Sequence, residues 1–134
     1  MLVSWESVLR RYLEPCSRSD DPAAVAAFRK GMCRDLAPTW STPGRQERWH
    51  LCTLAVDPAF QRRGHGSLLV QWGVERAQRE GVAVGVESSP VKAGFYKKLG
   101  FREVGKVMPF AGSDGPFEGM TAPVMMWEPA CWVV

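Results

Sequence analysis

A chain of 134 residues, 46% hydrophobic and 23% charged, fits one globular domain with a single core. Its net charge of +3 is too small to imply a nucleic-acid partner, and no apolar run reaches the ~20 residues that span a bilayer. Glu6, Arg10 and Arg11 interrupt the N-terminal stretch before an apolar signal core can form, so a soluble, cytoplasmic protein with no membrane partner is expected.

Leu2, Trp5, Leu9, Tyr12 and Leu13 recur at helical spacing and predict an amphipathic helix that ends near Pro15. After a polar loop, Asp21-Pro22 supplies a capping side chain and a proline at the first helical position. Val25, Phe28, Met32 and Leu36 then mark one face of a second helix, and Pro38 to Gln46 reads as a loop. Trp49 to Val56 is dense in strand-forming residues and stops at Asp57-Pro58. Residues 66–80 predict a helix packed through Leu69, Val70, Gly73, Val74 and Ala77, with Glu75 and Arg79 as an i,i+4 pair and Gly81 as terminator. Val82, Val84 and Val86 alternate with Ala83, Gly85 and Glu87 in a second strand. Ser89-Pro90 caps a short helix that Gly100 stops, Phe101 to Val107 forms a third strand, and Val124 to Trp127 a fourth, after a loop from Met108 to Gly119. The central strands should be parallel, because a helix joins them, and the last two antiparallel.

The four cysteines (Cys16, Cys33, Cys52 and Cys131) form no C-x-x-C, and His50 and His65 stand at no zinc-ligand spacing from them. Neither a disulfide framework nor a metal site is expected. The chemistry concentrates instead between the first central strand and the long helix, in Gln61-Arg62-Arg63-Gly64-His65-Gly66-Ser67. Gly64 and Gly66 allow a ligand to approach the main chain, and the first N–H groups of the helix have no intrahelical partner and can point at phosphate oxygens. The helix dipole and the two arginines add positive charge to this anion cradle. No Gly-Lys-Ser/Thr follows, and Leu69 stands where a dinucleotide fingerprint needs its third glycine.

The phrase Gln61-x-x-Gly64-x-Gly66 after Leu54-Ala55-Val56-Asp57-Pro58 resembles the acetyl-CoA-binding motif of the GNAT family of N-acetyltransferases. Tyr96-Lys97-Lys98-Leu99-Gly100-Phe101 resembles the family's tyrosine-bearing helix and the strand start beyond it. The resemblance covers residues 49–127, the expected cofactor-binding core, and residues 1–48 form a helical N-terminal segment of the same single domain. It implies an α/β (α+β) fold of the GNAT type, a mixed sheet flanked by helices, in which the motif strand splays from its parallel neighbour to admit acetyl-CoA.

The same resemblance assigns residues. Leu54, Ala55 and Val56 are expected to offer backbone contacts to the pantetheine arm. Gln61 starts the cradle, and the N–H groups from Arg62 through Arg63, Gly64, His65 and Gly66 to Ser67 receive the diphosphate. The implied reaction transfers an acetyl group to a primary amine of a small molecule or peptide. A main-chain N–H in the splayed strand would stabilise the oxyanion, and Tyr96 would protonate the leaving thiolate. Glu87, opposite in alternation to Val86, either accepts the amine proton or makes a structural pair with an arginine or lysine. Asp57 should shape the turn before Pro58, and Ser88 or Ser89 could bond the cofactor arm.

A complete family member begins with a strand, two helices and two further strands ahead of the motif strand, and residues 1–48 show two helices only. The fold is therefore expected to be incomplete at its N-terminus, with an open sheet edge through which two copies could pair as a homodimer. A noncatalytic acyl-CoA binder and a fragment acting as an interaction module stand as alternatives to an active enzyme.

Overall fold

The computed structural model describes residues 21–112 and 118–130. The helix expected over residues 2–14 and the tip of the loop after Met108 lie outside them. Asp21 caps the first described helix, α1 (Pro22–Trp40), by accepting a hydrogen bond from the Ala23 N–H at 2.9 Å. This helix does not stop before Pro38. Pro38 occupies its last turn, which is closed by the Ser41 N–H and hydroxyl, both donating to the Ala37 carbonyl. A proline costs a helix one N–H donor, but here Trp40 is anchored on the sheet, and a Cβ at Gly85 would lie 2.5 Å from its ring.

Four strands follow in the spatial order β1-β2-β4-β3: β1 (Arg48–His50), β2 (Ala83–Glu87), β3 (Arg102–Val107) and β4 (Ala122–Trp127). β1 and β2 are parallel and β3 and β4 antiparallel, as expected of this chain, and β4 also pairs antiparallel with β2. Between β1 and β2 run a 3-10 turn (Pro58–Phe60) and the long helix α2 (His65–Glu80), and a second 3-10 turn (Pro90–Lys92) leads into α3 (Ala93–Lys98). Gly81 and Gly100 end the two helices with φ of 69° and 88°, left-handed conformations that glycine adopts without steric cost.

Helices cover both sheet faces. Val70 and Ala77 of α2 and Ala93 and Tyr96 of α3 pack with Val84, Val86, Phe101 and Met125 in one buried cluster. On the opposite face α1 crosses over Gly85 and Gly105, where Trp40 and Thr39 meet the strands. Consequently β2 is buried from Ala83 to Val86 and does not alternate between wet and dry faces as the valine spacing suggested; a strand covered on both sides has no wet face.

Three further expectations are corrected. The segment from Trp49 to Val56 is not one strand: pairing ends at His50, the Leu51 N–H donates to the Gly85 carbonyl at 2.9 Å, and the chain then leaves its neighbour. Leu69 is 54% exposed and does not belong to the packing face of α2. The ion pair along that helix is Arg76–Glu80, at 2.6 Å, in place of Glu75–Arg79. Among the described residues no strand pairs with the outer edge of β1.

Candidate functional site

Beyond Leu51 the chain leaves β2, and a cleft of about 480 Å³ opens, lined by residues of the chain after β1, the first turn of α2, and α3 with the turn before it. One wall is Leu54 and Val56, both half-buried. No described residue offers a main-chain partner to the N–H and C=O groups of residues 52–56. The Val56 carbonyl instead accepts from the Gln61 side-chain amide at 2.9 Å. That bond ties the cradle back to the end of the splayed segment. Asp57 accepts from the Ala59 N–H at 2.8 Å and so shapes the turn, as its position before Pro58 suggested.

The floor of the cleft is the start of α2. Gly64 is its N-cap with φ 86°, and no side chain caps the helix. The first main-chain bond within it runs from the Leu68 N–H to the Gly64 carbonyl, so the N–H groups of His65, Gly66 and Ser67 precede the ladder. The first turn contains no acidic residue to offset the positive end of the helix dipole. A Cβ on Gly66 would point between Phe95, Val56 and Leu54 at 3.7–4.0 Å, into the cleft itself. Arg62 holds a φ of 60°, unusual for a residue with a side chain and strained by about 1 kcal/mol.

Tyr96 closes the far wall with Phe95 and Lys92. It is 7% exposed, and its ring meets those of Phe95 and Phe101 edge-on. Burial raises its hydroxyl pKa above the ordinary phenol value, which keeps it protonated at neutral pH. The cleft thus unites Leu54, Val56, Gln61, Arg62, Gly64, His65, Gly66, Ser67 and Tyr96. Ala55 and Arg63 are not among its lining residues; Ala55 is exposed, and the Arg63 guanidinium lies 5.8 Å from the Phe60 ring centre.

Glu87 also lies outside the cleft lining. Strand alternation sends it to the α1 side of the sheet, where its Oε2 is 3.0 Å from His50 Nε2. Its Oε1 is buried without a hydrogen-bond partner among the described residues, as is Nε of Arg48, whose guanidinium packs 4.1 Å from the Trp40 ring centre. The nearest basic side chain to Glu87 is thus His50, and the Arg48 guanidinium acts on the carboxylate electrostatically. Ser89 sits at the cap position of the turn before α3 but makes no side-chain cap bond, while the buried Ser88 hydroxyl donates to the Ser89 carbonyl at 2.9 Å.

Phe60, Lys92, Phe95 and His50 are additions to the residues expected from the sequence. Lys92 precedes Tyr96 by four residues, one helical turn, and His50 stands two residues beyond Arg48 in the strand that faces β2.

Comparison with known proteins identifies the family. A family model described as an acetyltransferase (GNAT) domain matches residues 36–115. A curated acetyltransferase of Stachybotrys chartarum is 32% identical over 73 residues, which cover 54% of this chain and 31% of that protein; the chain thus spans about a third of the length of the relative it matches. Among solved structures, the ribosomal-protein-S18-alanine N-acetyltransferase of Escherichia coli is similar over 60% of this chain and 54% of its own, at 27% identity and a TM-score of 0.49. Ard1 of Thermoplasma volcanium is similar over 61% and 53%, at 28% identity and a TM-score of 0.46. With its family model covering well over half of the residues, the chain belongs to the GNAT acetyltransferase family.

Proposed function

We propose that the chain binds acetyl-CoA in the cleft and transfers its acetyl group to a primary amine of a small molecule or peptide. One observation carries the reading: the free N–H groups that open α2, the splayed segment carrying Leu54 and Val56, and the Tyr96 ring border one continuous cavity. The lining residues fit the coenzyme. A carboxylate-free helix N-terminus suits a diphosphate, the apolar sides of Leu54, Val56 and Phe95 suit the pantetheine arm, and the unpaired peptide groups can satisfy its amides.

The bound coenzyme supplies an activated acetyl thioester. Around it, His65, Gly66 and Ser67 donate main-chain N–H groups to the diphosphate, and Arg62 and His65 contribute side-chain donors at its rim. Tyr96 holds a proton within the cleft and gives it to the departing sulfur. Glu87, held at 3.0 Å by His50 on the α1 side of the sheet, is the candidate acceptor of the amine proton. Glu87→Gln should slow turnover with acetyl-CoA affinity unchanged, and equal rates would return Glu87 to a purely structural pair.

Calorimetry with acetyl-CoA tests the donor, and thiol release across a panel of small amines and peptide N-termini tests the acceptor. Binding with a dissociation constant in the micromolar range and amine-dependent thiol release are expected. Binding without release would favour the noncatalytic acyl-CoA binder. No heat at millimolar coenzyme would leave only the interaction module. A homodimer would form at the open edge of β1, beside the exposed Trp49 and Trp72, and sedimentation across a tenfold concentration range reads it directly. The free, exposed thiols of Cys33 and Cys52 favour a reducing, cytoplasmic setting.

A further inference from the structure

We infer that Lys92 is a phosphate-binding residue of the coenzyme site, reaching the ligand from the wall opposite the α2 amides; the inference rests on the acetyl-CoA reading. The cleft is electrostatically one-sided. Its lining contains Arg62, His65 and Lys92 and no carboxylate. Lys92 ends the 3-10 turn that leads into α3, and its N–H donates to the Ser89 carbonyl at 2.9 Å. This fixed turn sets the base of its side chain one helical turn ahead of Tyr96, on the same wall.

Several other cations are neutralised locally. Lys97 and Lys106 lie 3.8 Å from Glu103, Arg76 pairs with Glu80, and Arg45 and Arg102 share Glu128. Lys92 has no acidic partner among the described residues and is exposed, so its charge is available to a ligand and its side chain carries little of the fold. An ammonium on a flexible stem can meet phosphate oxygens at many angles. The α2 amides are fixed main-chain donors, so an adjustable donor facing them closes the cradle on a ligand with more than one phosphate group.

Both the diphosphate and the 3′-phosphate of coenzyme A present this chemistry, and the test separates them. Calorimetry is run on the full chain with coenzyme A and with 3′-dephospho-coenzyme A, for the wild type, Lys92→Gln, Lys92→Arg and Lys98→Gln. Lys98 is exposed on α3 and does not line the cleft, so its variant reports any general loss from lowered positive charge. A charge-assisted hydrogen bond at an exposed site implies that Lys92→Gln raises the coenzyme A dissociation constant roughly 5- to 20-fold. Lys92→Arg should recover most of that loss, and Lys98→Gln should bind as the wild type does.

A loss seen with coenzyme A alone assigns Lys92 to the 3′-phosphate; a loss with both ligands assigns it to the diphosphate. The inference is overturned if Lys92→Gln binds coenzyme A with wild-type affinity, or if Lys98→Gln loses as much. A wild-type chain that binds neither ligand would overturn the acetyl-CoA reading itself, and this inference with it. Unchanged thermal melting of the Lys92 variants separates either result from misfolding.

Discussion

At Gly66 the demands of fold and ligand diverge. The position is helical, and a Cβ would make only ordinary contacts with Phe95, Val56 and Leu54, at 3.7–4.0 Å. The fold alone therefore tolerates a methyl group there, whereas a longer side chain has only the cleft to occupy. Gly66→Glu places a carboxylate against the amides proposed to hold the diphosphate, and like-charge repulsion adds to the steric block. Acetyl-CoA binding should fall below detection by calorimetry while the melting temperature moves by only a few degrees; retained affinity would disprove the cradle. Tyr96→Phe removes a single oxygen from a buried ring that still packs against Phe95 and Phe101. Turnover should fall about 10²-fold, the lower end of general acid catalysis, with the coenzyme dissociation constant within twofold of the wild type. Both positions were legible from the sequence through motif spacing, and the structure sets both on the cleft lining. Lys92 was less so: its role depends on a wall formed by residues about 30 positions earlier in the chain, and nothing local marks a lysine on a short turn as facing a cleft.

Elements were legible where local signals and packing agree. The Asp21-Pro22 start of α1, the glycine stops at Gly81 and Gly100 and the antiparallel β3–β4 pair all follow from turn and cap chemistry. The segment after β1 misleads for a physical reason. Leu51, Leu54 and Val56 are half-buried residues in an extended chain, and such a pattern is the same whether a neighbouring strand or an open cleft lies alongside. The end of α1 misleads because tertiary contact overrides the proline: Trp40 is held on the sheet, and the helix continues to reach it. The docking of α1 depends on one small residue. Gly31 is buried against the loop after β3, and a Cβ there would come within 2.0 Å of the Pro109 carbonyl oxygen. Backbone cannot yield as a flexible side chain does, so Gly31→Val should push α1 off the loop. A loss of about 2–3 kcal/mol is expected from such overpacking, measured by urea denaturation, and a stability equal to the wild type would show that the helix docks differently.

Across the whole molecule, the cleft exists because the sheet is held together on one side of the splay and released on the other. Glu128, just beyond β4, is a tie on the held side. Its Oε1 accepts from Arg45, in the segment before β1, at 3.1 Å, and its Oε2 accepts from Arg102 of β3. One carboxylate therefore links chain segments from both ends of the four-strand order. Burial alone would raise its pKa, but the hydrogen bonds and charges of Arg102 and Arg45 outweigh burial and hold it below the ordinary glutamate value. A carboxyl group whose pKa is lower folded than unfolded contributes its full stability above the unfolded value of ~4.3, and loses it as pH falls through the folded value. Glu128→Gln should accordingly cost about 1 kcal/mol at pH 7, a figure kept small by the solvent exposure of Arg102. The gap between variant and wild type should narrow once the pH drops below ~4.3 and be smallest in the most acidic solutions in which both still fold. Urea titrations of the two proteins at pH 7, 5 and 3.5 check the sign. A gap that widens toward acid would mean that the arginines do not favour the charged carboxylate, and that the strands are held by packing alone.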